Sequence, residues 1–212
     1  MTRVILIRHG HSLANFQRIF AGHTDYDLHE SGIAQAKDTA KYVFENYKVD
    51  RIYSSDLKRA YNTAKELANI TNLQIETDKA FRELFVGEIE GKYFKEFEEE
   101  YPEDIIIWRN DIDNIDFKRF GGELIPELQK RFYDAVLKVT KENDGKTIAI
   151  ATHATAIRTF IAKVKGVKVQ DEPWPENASV TVAEYEDGKF SLKLVSYNKH
   201  LLNAIKPSSD GV

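Results

Sequence analysis

Two histidines each follow an apolar segment with the composition of a buried β-strand. His9 comes shortly after residues 4–7 (Val-Ile-Leu-Ile), and His153 comes directly after residues 146–152. An uncharged imidazole is a nucleophile, a proton acceptor or a metal ligand near neutral pH, although a lone histidine after a strand is more often structural. If the two segments are neighbouring parallel strands, both imidazoles lie at one sheet edge, where ligands bind in such folds. The pair therefore marks a candidate site.

Two arginines are placed to reach the same edge. Arg8 precedes His9, and Arg59 lies in the opening turn of a predicted helix that follows the strand end at residues 53–55. Guanidinium groups match phosphate oxygens in charge and geometry, and the amides at a helix N-terminus also favour an anion. Two Arg and two His around one point therefore predict a phosphate site.

A divalent metal is the competing interpretation, because two His and a Glu could ligate zinc. The nearby Arg side chains would repel a dication, no two His have the i,i+4 spacing of a helical ligand pair, and the sequence has no Cys. We therefore expect the site to hold neither a metal nor another cofactor.

The rest of the sequence predicts the elements that position these residues. Apolar, β-rich segments predict strands at residues 4–7, 51–54, 73–76 and 146–152, and helical periodicity predicts helices at residues 31–47, 57–68, 125–139 and 155–165. Residues 179–185 and 189–195 flank Glu-Asp-Gly, which predicts a β-hairpin. Apolar strands that alternate with helices indicate an α/β protein with three αβα layers, in which a largely parallel central sheet has helices on both faces.

Residues 85–122 lose this periodicity and are rich in Gly, acidic and aromatic residues. They predict a helical and loop insertion over the site, within a single domain that spans residues 1–212. The aromatic side chains of the insertion either wall a pocket for an apolar leaving group or form the insertion's own core. These side chains are Tyr93, Phe94, Phe97, Tyr101, Trp108, Phe117 and Phe120. The polar tail from Asn198 is expected to be loose at its end.

Composition excludes several classes of protein. The 212 residues include 30 Lys and Arg against 34 Asp and Glu, a net charge of −4, and this mild acidity predicts no nucleic-acid partner. The absence of Cys excludes a disulfide scaffold, a zinc ribbon, a thiol nucleophile and an iron–sulfur cluster. No apolar run has the length of a signal-peptide core or a membrane span, so we expect a cytoplasmic protein without a membrane partner.

Four segments of the sequence resemble, in order, the four motifs of the histidine phosphatase superfamily, also called the phosphoglycerate mutase-like family. They are LIRHGHSLAN (6–15), SSDLKRAYNTA (54–64), RELFVGEIEG (82–91) and ATHA (151–154). The short Arg-His-Gly triplet alone would be a weak signal, but four motifs in the family's order are specific.

The resemblance implies a role for each matching residue. His9 takes the position of the family's nucleophile, which attacks phosphorus and becomes a transient phosphohistidine. Glu83 matches the proton donor that protonates the leaving group and then accepts a proton from the hydrolytic water. Gly22 matches a glycine whose loop lines the family's site. The phosphoryl oxygens are expected to be held by Arg8, Asn15, Arg59 and His153.

Three positions depart from the family pattern. His11 stands where the family usually has Glu or Gln, Ala154 stands where Gly is common, and Leu124 stands where Ser follows Gly-Gly-Glu. His11 either supplies the site with a further hydrogen-bond donor or lies at its rim.

The segments that distinguish mutases from phosphatases favour hydrolysis. Phosphoglycerate mutases of this family follow the catalytic Glu with Arg-His-Tyr-Gly and carry Trp-Arg-Arg in the insertion, where this sequence has Leu-Phe-Val-Gly and Trp-Arg-Asn. Residues 84–120 hold eleven Asp and Glu against five Lys and Arg, which suits so acidic a ligand poorly.

The resemblance therefore implies a metal-independent phosphomonoesterase that acts on a small-molecule phosphate ester, with α-ribazole phosphate as one candidate. The alternatives are a cofactor-dependent phosphoglycerate mutase and a catalytically inactive phosphate-binding module.

Overall fold

A computed structural model describes residues 1–201, and the end of the predicted loose tail lies outside the described residues. The strands are β1 (Thr2–Arg8), β2 (Arg51–Ser54), β3 (Ile75–Thr77), β4 (Thr147–Thr152), β5 (Val180–Glu186) and β6 (Lys189–Tyr197). The α-helices are α1 (Leu13–Gln17), α2 (Glu30–Asn46), α3 (Lys58–Thr71), α4 (Phe94–Glu100), α5 (Pro102–Asn110), α6 (Ile125–Glu142) and α7 (Ala154–Lys165). Within this part of the chain, no helix is long and apolar enough to cross a membrane.

All six strands form one sheet in the order β3-β2-β4-β1-β5-β6. The strands β3, β2, β4 and β1 are parallel to one another. In contrast, β5 is antiparallel to β1, and β6 is antiparallel to β5. The prediction of a largely parallel α/β sheet is confirmed, as are the hairpin and the helices α2, α3, α6 and α7, with ends that differ by a few residues. The short helix α1 was not predicted, because five residues show no helical periodicity.

The core lies on both faces of the sheet, as the uninterrupted apolar run of β1 predicts. Val4 and Leu6 of β1 pack into one cluster with residues of α6 and α7, whereas Ile5 and Ile7 pack into a second cluster with residues of α2 and α3. Successive side chains of a strand point to opposite faces, so a single strand serves both clusters. This arrangement gives the three αβα layers.

The segment between β3 and α6 contains α4, α5 and several 3-10 turns. Within it, the two ends of the predicted insertion meet where Phe85 contacts Glu123. The Glu123 N–H donates to the Phe85 carbonyl at 2.8 Å, and the Phe85 N–H donates to Glu123 Oε1 at 2.9 Å. Four of the predicted pocket aromatics are buried in the first core cluster, which favours the interpretation that they form the insertion's own core. They are Phe97, Trp108, Phe117 and Phe120.

The N-terminus of α2 packs directly on the loop that follows β1. A Cβ atom added to Gly32 would overlap with the main-chain oxygen of His11, and one added to Gly10 would overlap with the main-chain oxygen of Gly32. Neither glycine has a positive φ, so the requirement for glycine here is steric. The loop that carries His9 is therefore supported by main-chain contact with a long helix.

We expect Gly32→Ala to lower the free energy of unfolding by about 1–3 kcal/mol, because the added methyl group forces α2 away from the loop. Alanine is intrinsically the better helix former by roughly 0.5–1 kcal/mol, so a stabilised variant would contradict the close contact. Urea unfolding measures the difference. The matched control is Lys37→Ala on the exposed face of α2, which should change stability by no more than about 0.5 kcal/mol.

Candidate active site

His9 follows β1 directly and is 4% exposed. Its main-chain N–H donates to the Thr152 carbonyl at 2.9 Å, so the pairing of β1 with β4 extends to this residue. Its Nδ1 atom lies 2.7 Å from the carbonyl oxygen of Gly10. Because a carbonyl only accepts, Nδ1 carries the proton of the neutral ring, and the lone pair is on Nε2.

Burial lowers the pKa of His9 well below its ordinary value of 6.5, and the positive charges of Arg59 and Arg8 lower it further. The hydrogen bond to the Gly10 carbonyl opposes this change without reversing it. The imidazole of His9 is therefore neutral at physiological pH, which is the protonation state that a nucleophile needs.

His153 follows β4 and occupies the N-cap position of α7 without a side-chain capping hydrogen bond. Its ring centroid lies 5.2 Å from that of His9, so the predicted convergence of the two imidazoles is confirmed. Burial, followed by the charge of Arg59, lowers the pKa of His153 well below 6.5. Both ring nitrogens are buried and have no hydrogen-bond partner within the described residues. Since a buried polar group without a partner is unfavourable, His153 is suited to a ligand oxygen.

Arg59 is 1% exposed and lies in the first turn of α3. Its guanidinium donates to the carbonyls of Gly22 at 2.7 Å and Thr24 at 2.9 Å. Gly22 has a φ of +47°, and a Cβ atom there would overlap with the Glu90 carboxylate. That carboxylate accepts hydrogen bonds from His23 N at 2.7 Å and Thr24 Oγ1 at 2.8 Å. The glycine loop therefore orients Arg59 through main-chain carbonyls.

Arg8 lies at the end of β1 and donates to the carbonyl of Pro175, while its buried Nε atom has no partner within residues 1–201. Burial lowers the pKa values of Arg8 and Arg59 to about 10, and the negative charge of Glu83 opposes the shift in both cases. Both side chains are consequently still cations at pH 7. Together they provide positive charge beside the neutral His9.

Glu83 is half-buried at the N-terminus of α7. Its Oε1 atom accepts a hydrogen bond from Leu84 N at 2.8 Å, and its Oε2 atom accepts one from Thr155 N at 3.2 Å. Thr155 is the second residue of α7, two positions after His153. One helix N-terminus therefore joins the strand end at His153 to the carboxylate of Glu83.

The loop that carries Glu83 is held by Arg131 of α6, a residue that the sequence did not single out. Arg131 donates to the main-chain carbonyls of Ala80, Arg82 and Glu83 at 2.9–3.1 Å. Its guanidinium also pairs with Glu123 at 2.6 Å. A partner of main-chain carbonyls has no sequence signature, because the contact exists only in the folded chain.

Asn15 lies in the first turn of α1, where it forms a capping box with Ser12. Its Oδ1 atom accepts hydrogen bonds from Ser12 N at 3.1 Å, from Ser12 Oγ at 3.0 Å and from Asn177 Nδ2 at 3.1 Å. Asn177 is a second residue that the sequence did not single out. The Ser-x-x-Asn spacing of the capping box was the available signal for α1.

His11 is 9% exposed and lies next to the His9 loop. Its Nδ1 atom is 3.1 Å from Ser31 Oγ, and its ring centroid is 5.8 Å from that of His29. Burial is the main cause that lowers its pKa, and the charges of His29 and Arg8 contribute. His11 is therefore a buried, hydrogen-bonded neighbour of the site.

The ends of β1, β2 and β4 and the N-terminus of α7 thus bring together a neutral imidazole, two cations, a second imidazole and a carboxylate. Such a cluster has the charge and the hydrogen-bond donors that suit a tetrahedral anion, and a neutral imidazole is chemically able to attack one. Gly22 contributes a carbonyl to Arg59, and Asn15 joins the cluster through Asn177 and the His9 loop. No group of three His, Asp or Glu side chains in the described part of the chain could hold a metal ion.

Comparisons with known proteins find phosphatases among the relatives of this chain. The chain is 30% identical to phosphoserine phosphatase 1 of Hydrogenobacter thermophilus over 95% of each sequence. It is 28% identical to a metal-independent phosphoserine phosphatase of Arabidopsis thaliana, over 95% of this chain and 84% of the relative. A phosphoserine phosphatase mutant from Entamoeba histolytica, solved in complex with phosphoserine, superimposes with a TM-score of 0.83 at 28% identity, over 95% of this chain and 100% of that one.

The family model of the histidine phosphatase superfamily (branch 1) matches residues 4–198, which is nearly the whole chain and includes all four motifs. The chain therefore belongs to the histidine phosphatase superfamily.

Proposed function

We propose that this protein is a metal-independent phosphomonoesterase that hydrolyses a small organic phosphate through a phosphohistidine on His9. The observation that carries the proposal is the state of His9, which is buried and neutral, with its Nδ1 proton directed at the Gly10 carbonyl and its lone pair on Nε2. The adjacent cations Arg8 and Arg59 supply the positive charge that a metal would otherwise provide. The phosphatase names of the relatives support the same assignment.

In the first chemical step, the Nε2 lone pair of His9 forms a bond to phosphorus, and the bond between phosphorus and the ester oxygen breaks. The departing oxygen takes the electron pair of that bond. Charge spreads over the three remaining phosphoryl oxygens in the transition state, so fixed donors that contact them lower the barrier. We assign these contacts to Arg8, Asn15, Arg59 and His153.

Glu83 acts as the general acid and then as the general base. Protonated Glu83 gives its proton to the departing oxygen, which leaves as an alcohol. The resulting carboxylate then takes a proton from the water that attacks the phosphohistidine, and phosphate departs as the His9 lone pair is restored. Hydrogen bonds from two main-chain N–H groups hold the carboxylate in place for both steps.

We propose a phosphomonoester of the size of phosphoserine as the substrate, because the named relatives are phosphoserine phosphatases and one solved relative binds phosphoserine. Leu-Phe-Val-Gly follows Glu83 in place of the mutase Arg-His-Tyr-Gly, which supports hydrolysis over a mutase reaction. The clustering of His9, Arg59, Glu83 and His153 supports an enzyme over an inactive module.

We also propose that residues 1–212 form one domain in which residues 85–122 cover the site. A cytoplasmic location stays a prediction.

His9→Ala should reduce turnover of nitrophenyl phosphate to the uncatalysed level and abolish acid-labile labelling by radioactive substrate phosphate, because it removes the nucleophile. Both measurements are made in EDTA, where the parent enzyme should keep its full rate. His29→Asn, which preserves a side chain able to cap α2, is the control and should still be labelled. Labelled phosphate on another residue, or a parent enzyme inactivated by EDTA, would contradict the proposal.

The depressed pKa of His9 predicts how stability depends on pH. Below pH 6.5 the unfolded chain binds a proton at His9 that the folded protein does not, so the free energy of unfolding falls as the pH decreases. Between pH 6.5 and 5.5, His9→Gln should reduce this fall by up to about 1 kcal/mol. Urea unfolding at both pH values measures the difference, and equal falls for parent and variant would show that His9 is protonated normally.

Glu83→Gln should slow the reaction of an alkyl phosphate much more than that of nitrophenyl phosphate, because a nitrophenolate leaves without protonation. The loss for the alkyl ester should be about 10²–10⁴-fold. Phosphohistidine formation must be followed in single turnovers, since steady-state rates also report its hydrolysis. Glu88→Gln, an exposed carboxylate five residues away, is the control. Equal losses for both esters would give the acid role to another residue.

A further inference from the structure

Asn177 contacts two parts of the site from the segment that precedes β5. Its Nδ2 atom lies 3.2 Å from the main-chain oxygen of His9 and 3.1 Å from Oδ1 of Asn15. It therefore connects the loop that carries His9 to the side chain of Asn15, a residue that we propose binds the phosphoryl group. None of the four motifs includes Asn177.

Main-chain groups determine the orientation of both amides. Ser12 N only donates, so the atom of Asn15 that faces it must be the carbonyl oxygen. The His9 carbonyl only accepts, so the atom of Asn177 that faces it must be the amide nitrogen. With Oδ1 occupied by Ser12 and Asn177, the end of the Asn15 side chain that remains for a ligand is the Nδ2 donor.

The main chain beside Asn177 is held on both sides. Ala178 has a φ of +58°, in the left-handed region that favours glycine. Its N–H donates to the His9 carbonyl at 3.1 Å, and its carbonyl accepts a hydrogen bond from Thr39 Oγ1 at 2.9 Å. A non-glycine residue keeps such a conformation only where the surroundings require it, so Asn177 extends from a rigid turn.

We propose that Asn177 is a positioning residue for phosphoryl binding, which acts by holding the Asn15 amide with its NH₂ group available to the phosphoryl oxygens. This inference rests on the proposed function of the site. A deprotonated phosphoryl oxygen accepts hydrogen bonds only, so an Asn15 amide turned the other way would present an oxygen to it and repel it. Asn177 supplies one of the donors that prevent this rotation.

Two substitutions remove the Asn177 donor in different ways. Asn177→Ala removes the whole amide, whereas Asn177→Leu keeps the same number and branching of side-chain heavy atoms without a hydrogen-bonding group and therefore leaves no cavity. We expect each to weaken inhibition by inorganic phosphate and to slow phosphohistidine formation by about 10-fold, the order of a single hydrogen bond near a charged group. Asn46→Ala is the matched control, because its amide also donates to a main-chain carbonyl but lies on the exposed end of α2.

The deciding experiment repeats these measurements in an Asn15→Ala background. If Asn177 acts through Asn15, each Asn177 substitution should change the phosphate inhibition constant and the single-turnover rate by less than about twofold once Asn15 is absent. A merely structural role would give the same loss in both backgrounds.

Equal losses in both backgrounds would overturn the inference and show that Asn177 acts through the His9 carbonyl. Unchanged phosphate inhibition in both Asn177 variants, or an Asn15→Ala enzyme as active as the parent, would overturn it as well. The proposed function is judged separately by labelling of His9, which none of these outcomes affects. The inference about Asn177 can therefore be wrong while the phosphohistidine mechanism is correct.

Discussion

The rest of the site depends on the register in which β1 pairs with β4. Arg8 of β1 pairs with Thr152 of β4, so the residues that follow each strand, His9 and His153, emerge side by side. Two further consequences come from the same register. The helix that begins after His153 reaches the carboxylate of Glu83, and the strand on the far side of β4 ends close to Arg59. A shift of one residue would point each strand's side chains to the opposite face and separate the two imidazoles.

Burial leaves the site with two uncharged histidines and two cationic arginines. The same loss of hydration lowers the pKa values of four side chains, Arg8, His9, Arg59 and His153. The histidines start near neutrality and become uncharged, whereas the arginines start so high that they keep their charge at pH 7. A buried charge is unfavourable without a counterion, so the cluster is prepared for an anion that brings negative charge to both guanidinium groups.

The sequence predicted the parts of the site that depend on strands and long helices. Apolar runs marked β1 and β4, helical periodicity marked α3, and the four motifs singled out His9, Arg59, Glu83 and His153. It did not predict α1, which five residues and one capping box define. Arg131 and Asn177 were missed for a different reason, because their contacts with main-chain carbonyls distant in sequence leave no trace in the residue types. Motif matching has a limit at Leu124, which stands where the family pattern has Ser. Leu124 occupies the N-cap position of α6, and its side chain forms no capping hydrogen bond.

The closure of the insertion at Phe85 and Glu123 has a consequence for how this protein can diversify. Two hydrogen bonds and the pairing of Glu123 with Arg131 fasten the ends of the segment to the loop behind Glu83. The entropy of closing a loop increases only slowly with its length, so segments of different size can start and finish at this junction at little energetic cost. The insertion can therefore change in length and sequence while the strand ends that carry His9 and His153 stay the same.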